Sequence, residues 1–218
     1  VVWSGDDASP AIVPNLAGRS REELVRDLGD VNMTVRNLAT QELVRRFGEN
    51  AIASQEELKT PSQRAQAVWL RYRSGKLKAS DPARTAVDRL ERIHFVRAMG
   101  EIDRWDASHG AAVREMLSDS DPTVRRVAAD ALGRHPDLAN VKPLLAISET
   151  VDPRDVQLGH AIRIAVRNQL REPSVCTSVH DTTPDEAGSM LRLTMVCNAV
   201  TTSAAIVIGS MTSWGREA

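Results

Sequence analysis

The stretch SDSDPTVRRVAADALGRHPD, residues 118–137, recurs in altered form along the chain, and that recurrence limits the fold more than any other feature. Asp121 can cap a helix through its side-chain oxygen, and Pro122 suits the first helical position. Val124, Val127, Ala128, Ala131 and Leu132 then follow at i, i+3, i+4, i+7 and i+8, with Gly133 available as a stop. An apolar stripe this narrow needs a neighbour. Sliding the stretch along the chain sets Val124 on Val35, Val127 on Leu38, Ala128 on Ala39 and Leu132 on Leu43, with Asn32 in the place of Asp121 and Arg36 in that of Arg125. Leu24 and Leu28 take the places of Val113 and Leu117 in a preceding short helix. The repeating unit is therefore helix, Asp-bearing turn, helix.

A third copy is expected in KPLLAISETVDPRDVQLGHAIRIAVRNQL, started by Asp152 and Pro153 and continued by Leu158, Ala161, Ile162, Ala165 and Val166. A fourth is expected from Asp81 and Pro82, with Ala83, Ala86, Val87 and Leu90 behind them. Capping boxes of the form S/T-x-x-E predict further helix starts at Ser20–Glu23, Ser54–Glu57 and Thr183–Glu186. Aromatic residues make up 3% of the chain against 42% hydrophobic residues, so the core is aliphatic and Ala-rich, which suits closely packed helices. The Val35-to-Val124 offset of 89 residues holds two units of the roughly 40–47 residues typical of HEAT and armadillo repeats. The TPR and ankyrin signatures do not appear. The expected fold is all-α, an α-α superhelix (solenoid) of HEAT-like helical hairpins, with residues 1–19 an extended connector, residues 20–218 the repeat domain, and repeats continuing past the C-terminus.

LVRDLGDVNMTVRNLATQELVRRFGENA resembles the L-x-x-x-N-x-x-V-R-x-x-A-x-x-x-L-x-x-R pattern that opens the helical-repeat region of large bacterial proteins of the membrane-bound dehydrogenase-like, or PVC-type haem-binding, family. RAQAVWLRYRSGKL and GHAIRIAVRNQLREPSV are similar to later landmarks of that region, and the likeness covers roughly residues 14–175. In that family a sugar-dehydrogenase-like propeller precedes the repeats and a c-type cytochrome domain with C-x-x-C-H follows them. The resemblance implies a repeat segment of a larger redox protein, periplasmic or exported. It carries no catalytic residue and no cofactor to any position here.

Net charge is −1, which gives no global field for nucleic acid or an anionic membrane. The longest apolar run, near SAAIVIGSM, is well short of the ~20 residues of a membrane-spanning helix. Cys176 and Cys197 fit no metal or haem-attachment pattern, and whether they pair is left open by the sequence. The five histidines are scattered, with no metal-ligand spacing, and no nucleophile elbow, phosphate loop or dinucleotide fingerprint is present.

Two sets of residues are candidates for contact with something. Segment 62–80 holds Arg64, Arg71, Arg73, Lys76 and Lys78 with Trp69 and Tyr72 and no acidic residue, a pattern able to meet an anion. Asn32, Arg36, Asp81, Asp121, Arg125 and Asp152 are expected as structural turn and cap residues, their arginines hydrogen-bonding across neighbouring turns to tie repeats together. The leading functional expectation is a non-catalytic scaffold whose partners are proteins or neighbouring domains. The alternatives are an enzyme of the HEAT-like DNA glycosylase type, against which low charge and few aromatics speak, and a chromophore-lyase-type protein.

Overall fold

A computed structural model describes residues 15–52 and 54–181. The chain divides into two compact units, one running to Ala98 and the other beginning at Met99. The first holds α1 (Arg21–Asp27), α2 (Met33–Phe47), α3 (Pro61–Arg73) and most of α4 (Arg89–Gly100). The second holds the end of α4, α5 (Ala107–Glu115), α6 (Pro122–Arg134), α7 (Leu138–Thr150), α8 (Val156–Arg171) and α9 (Pro173–Asp181). Among the described residues there is no strand. The fold is all-α and built of helical hairpins.

In the first unit α1 packs on α2 and α2 on α3. Ser20 and Glu23 form the expected capping box at α1. Leu24, Val25 and Leu28 then meet Val35, Ala39 and Leu43 of α2 and Ala67 and Leu70 of α3 in one buried cluster. Leu16 lies in the same cluster, so the end of the expected connector is anchored in the core. The capping box expected at Ser54–Glu57 does not form: Gln55–Glu57 is a single 3-10 turn with no side-chain cap. The helix begins later, at Pro61, where Thr60 and Gln63 make a reciprocal box. Gln63 faces two ways, because its Nε2 also donates to the Val25 carbonyl near the end of α1 at 3.1 Å.

In the second unit α5 pairs with α6 and α7 with α8, and α6 lies against α8. Val124, Ala128, Ala131 and Leu132 of α6 and Leu158, Ile162 and Ala165 of α8 are buried, as the stripe requires. Gly133 does not end its helix; it sits inside α6, where a Cβ would lie 3.1 Å from the Ala165 Cα. Gly100 repeats the device, its missing Cβ being 3.1 Å from that of Ala131. At the same crossings side chains reach carbonyls in the last turns of helices. Gln169 Nε2 donates to the Leu132 carbonyl at 2.8 Å, Asn168 Nδ2 to that of Gly133 at 3.1 Å, and His135 Nε2 meets that of Gly100 at 3.1 Å.

Two expected helix starts move. Asp81 and Pro82 open a 3-10 turn, Pro82–Thr85, after which the chain is extended and Val87 is fully exposed; α4 starts at Arg89, with the Asp88 side chain accepting from Leu90 N at 2.7 Å. Asp152 accepts from Arg154 N in the turn before α8, and Asp155 is the true cap, accepting from Leu158 N at 3.0 Å. Cys176 is buried beside Val141, Leu170 and Val175 and is disulfide-bonded; Cys197, the other cysteine of the sequence, lies outside the described residues. The start expected at Thr183–Glu186 and the apolar C-terminal run lie outside them too.

The close crossing of α6 and α8 has a direct consequence. Gly133→Val should lower stability by about 1–3 kcal/mol, since the added carbons meet backbone rather than a flexible side chain. Gly18→Ala, into open space, should change it by less than about 0.5 kcal/mol. Thermal denaturation followed by circular dichroism checks both, and equal melting temperatures for the two variants would mean that α6 and α8 do not meet there.

Candidate functional site

The turn residues form one recurring device. Before α2, Asp30 accepts from Asn32 N and Asn32 from Thr34 N, while Arg36 Nη1 donates to the carbonyls of Asp30 and Val31 at 2.6 and 3.1 Å. Before α6, Asp119 accepts from Asp121 N and Asp121 from Thr123 N and Val124 N, while Arg125 Nη1 donates to the carbonyls of Asp119 and Ser120 at 2.8 and 3.2 Å. Before α4, Arg92 Nη1 donates in the same way to Ala86 and Val87 at 2.7 and 2.9 Å. An arginine four residues after the cap thus folds back over its own turn. The carbonyls it binds belong to the same repeat, so the expected bonding of these arginines across neighbouring turns is not what the structure contains. The turn before α8 has Gly159 in the arginine position.

Segment 62–80 is only partly brought together. Arg64 Nε donates to Glu91 at 2.7 Å, and Lys76 Nζ lies 2.5 Å from Glu49. Arg71 holds the buried Asp81 carboxylate: Nη2 donates to Oδ1 at 3.0 Å, and Nε lies 2.6 Å from Oδ2 in an ionic contact with its N–H turned off the oxygen. Asp81 in turn accepts from Ala83 N at 2.9 Å. Three of the five basic side chains are therefore used within the unit, and the exposed Arg73 and Lys78 remain at the end of the segment. Trp69 is half-buried, with Tyr72 edge-on at a centroid distance of 5.9 Å. Its indole Nε1–H donates to His94 Nδ1 at 2.7 Å.

That bond requires an unprotonated Nδ1. Burial first, then Arg97 and Arg36, push the His94 imidazole down from 6.5 to about 4. Because the folded value lies below the unfolded one, the unfolded chain takes up the proton first as pH falls. Stability should be full above about pH 6.5 and should decline as pH drops toward 4, with Trp69 losing its acceptor. His94→Gln, which keeps an oxygen acceptor and cannot titrate, should show a flatter stability profile over this window. Identical profiles for the two proteins in urea titrations read by tryptophan fluorescence would contradict the assignment.

The second unit holds an open cleft of about 530 Å³ between the turn before α6 and the α7–α8 hairpin. Leu117, Pro143, Ile147 and Leu158 supply apolar lining, and Arg114, Arg125, Asp119, Asp152 and Asp155 supply charge. The charged groups already have partners: Arg114 donates to Asn140 at 2.9 Å, and Asp152 and Asp155 accept from backbone amides of their own turn. Asn140 is buried and donates to the His135 carbonyl and to Gln169 Oε1. A smaller cleft of about 330 Å³ lies between the starts of α5 and α7, beside Trp105 and His135, whose ring centroids are 3.7 Å apart. Among the described residues no three His, Cys, Asp or Glu side chains are placed to hold a metal ion. No described helix is long and apolar enough to cross a membrane.

Sequence reading missed the amides that join the hairpins, Gln63, Asn140 and Gln169. Their one local signal is a polar amide set among apolar positions of a helix stripe.

Residues 82–163 match the HEAT repeats family. This stretch contains the caps Asp88, Asp121 and Asp155, and the match supports a place in the HEAT-like superfamily. No curated protein matches the chain.

Proposed function

We propose that this chain is a scaffold for contacts with proteins or with neighbouring domains of a larger protein. The observation that carries the reading is the open cleft of the second unit, whose apolar and charged lining residues belong to two successive repeats. Its charged groups are occupied in holding turns and helix ends, so the cleft offers a shaped, mixed apolar and polar surface to an incoming side chain. HEAT repeats generally serve protein interaction, and the match over residues 82–163 supports the same use here. Arg73 and Lys78, exposed at the end of the α3 segment, add a local site for a partner's carboxylates.

The finer reading is a repeat segment of a redox protein of the dehydrogenase and cytochrome c type. Its support is the resemblance carried by LVRDLGDVNMTVRNLATQELVRRFGENA, whose Asn32 and Arg36 form a turn of the same design as Asp121 and Arg125. A glycosylase reading asks for basic and aromatic side chains presented to a nucleic acid. Here Arg64, Arg71 and Lys76 face carboxylates, and the Trp69 indole N–H is spent on His94.

Hydrogen exchange measured on the chain alone and on the chain joined to the domains encoded beside it tests the scaffold. Exchange at residues 143–158 should slow when those domains are attached, as the cleft is covered. Unchanged exchange along the whole chain would contradict the proposal. A propeller and a C-x-x-C-H segment in the flanking coding sequence would support the redox parentage, and their absence would remove it.

A further inference from the structure

The helix α8 carries a face that its counterpart α6 does not. Each α6 position maps onto α8 34 residues later, as Val124 maps onto Leu158 and Asp121 onto Asp155. In α6 two positions of the corresponding face are Ala129 and Gly133, both buried, with Gly133 against Ala165 of the next helix. The corresponding residues of α8 are Arg163 and Arg167, both exposed, and Arg171 follows one turn later, also exposed. At about 100° per residue, His160, Arg163, Arg167 and Arg171 span roughly 80° of the helix surface, opposite the buried Leu158, Ile162, Ala165 and Gln169. No acidic residue occurs between Val156 and Arg171. Among the described residues none of the three arginines has an ion-pair partner, and Arg167 Nη2 donates to Asn168 Oδ1 at 3.2 Å.

We propose that this face of α8 docks an acidic helix of a partner protein, laid where a further stacked helix would lie and presenting carboxylates four residues apart. The spacing follows from helix geometry, since residues four apart rise about 6 Å on either helix, so that three carboxylates match three guanidinium groups in register. A guanidinium takes a carboxylate bidentately, which favours arginine over lysine at such a contact. An arginine where α6 has glycine or alanine also keeps out an apolar helix, because close approach would bury the charge unpaired. Residues 182–218 do not carry the match: their acidic residues are Asp185, Glu186 and Glu217, with no such spacing. Nucleic acid fits less well. The face has no aromatic side chain for stacking, and the net charge of −1 supplies no long-range attraction.

The inference rests on the scaffold reading for its kind of partner but uses a different surface, so its failure leaves the exchange test of residues 143–158 untouched. The probes are two helical peptides of one composition, the first with Glu at i, i+4 and i+8 and the second with the same residues distributed around the helix. Binding to the full chain is measured at low ionic strength. The ordered peptide should bind about tenfold more tightly than the distributed one, the sum expected from three exposed pairs. The triple variant Arg163→Glu, Arg167→Glu, Arg171→Glu should remove that preference while keeping the helical circular-dichroism signal, and Arg167→Lys should weaken it. If the triple variant fails to fold, Arg167→Ala alone should still reduce the preference. Equal affinity for both peptides would overturn the proposal. So would duplex DNA binding more tightly than the ordered peptide with the same dependence on the three arginines.

Discussion

The second unit depends on how closely α6 and α8 approach. With few aromatic side chains to fill space, a helical core of Ala, Val and Leu gains packing mainly by bringing backbones together. Gly133 permits that approach at Ala165, and the nearness lets Gln169 and Asn168 reach the carbonyls of Leu132 and Gly133. The two effects support each other: without the glycine the amides are out of reach, and without Asn168 the carbonyl of the buried Gly133 would lose its side-chain donor. Gln169 does more than one task, since its Oε1 also accepts from Asp137 N at 2.8 Å and so fixes the start of α7. One side chain thereby connects three helices. The first unit uses the same device in Gln63, which joins the start of α3 to the end of α1.

The turns are closed systems of another kind. Before α2, α4 and α6 each cap takes an amide that the helix start leaves unpaired, and the arginine one turn later takes the carbonyls of the loop. A turn so satisfied needs nothing from the neighbouring repeat. Its side chains therefore say little about partners, however much they look like a recognition motif in the sequence. What is left for partners is the surface between turns and the outward faces of helices, where the residues differ from one repeat to the next. The contrast between Ala129 and Gly133 in α6 and Arg163 and Arg167 in α8 is of this kind.

Much of the hairpin pattern was legible because a helix stripe and a cap are local signals. Asn32 and Asp121 were read as caps and are caps, and the alignment of Val124 with Val35 places both in buried stripes. The Asp-Pro signal was less selective, because it suits a 3-10 turn as well as a helix start. At Asp81 the turn stops after Thr85, and in DPRD the second aspartate, three residues on, is the cap. The S-x-x-E pattern at Ser54 failed for another reason: Thr60 and Pro61 start a new helix so soon after it that only the 3-10 turn Gln55–Glu57 fits between, although Leu58 is buried. The candidate site was less legible than the fold. Three of the five basic charges of segment 62–80 are neutralised, by Glu49, Asp81 and Glu91, of which Glu49 and Glu91 stand far along the chain from their partners, and no local pattern foretells such pairing.

The central claim is that α6 and α8 form one cooperative body through Gly133, Ala165 and the Gln169 amide. Native-state hydrogen exchange tests it most directly, comparing the opening free energies of amides in the two helices before and after Gln169→Leu, which keeps the volume but takes away the side-chain donor to the Leu132 carbonyl, leaving it only His135 N, and leaves the amide of Asp137 unpaired. The account predicts a common opening free energy for buried positions of α6 and α8 and a loss of about 1–3 kcal/mol shared by both in the variant. Independent opening of the two helices, or a loss confined to α8, would contradict it.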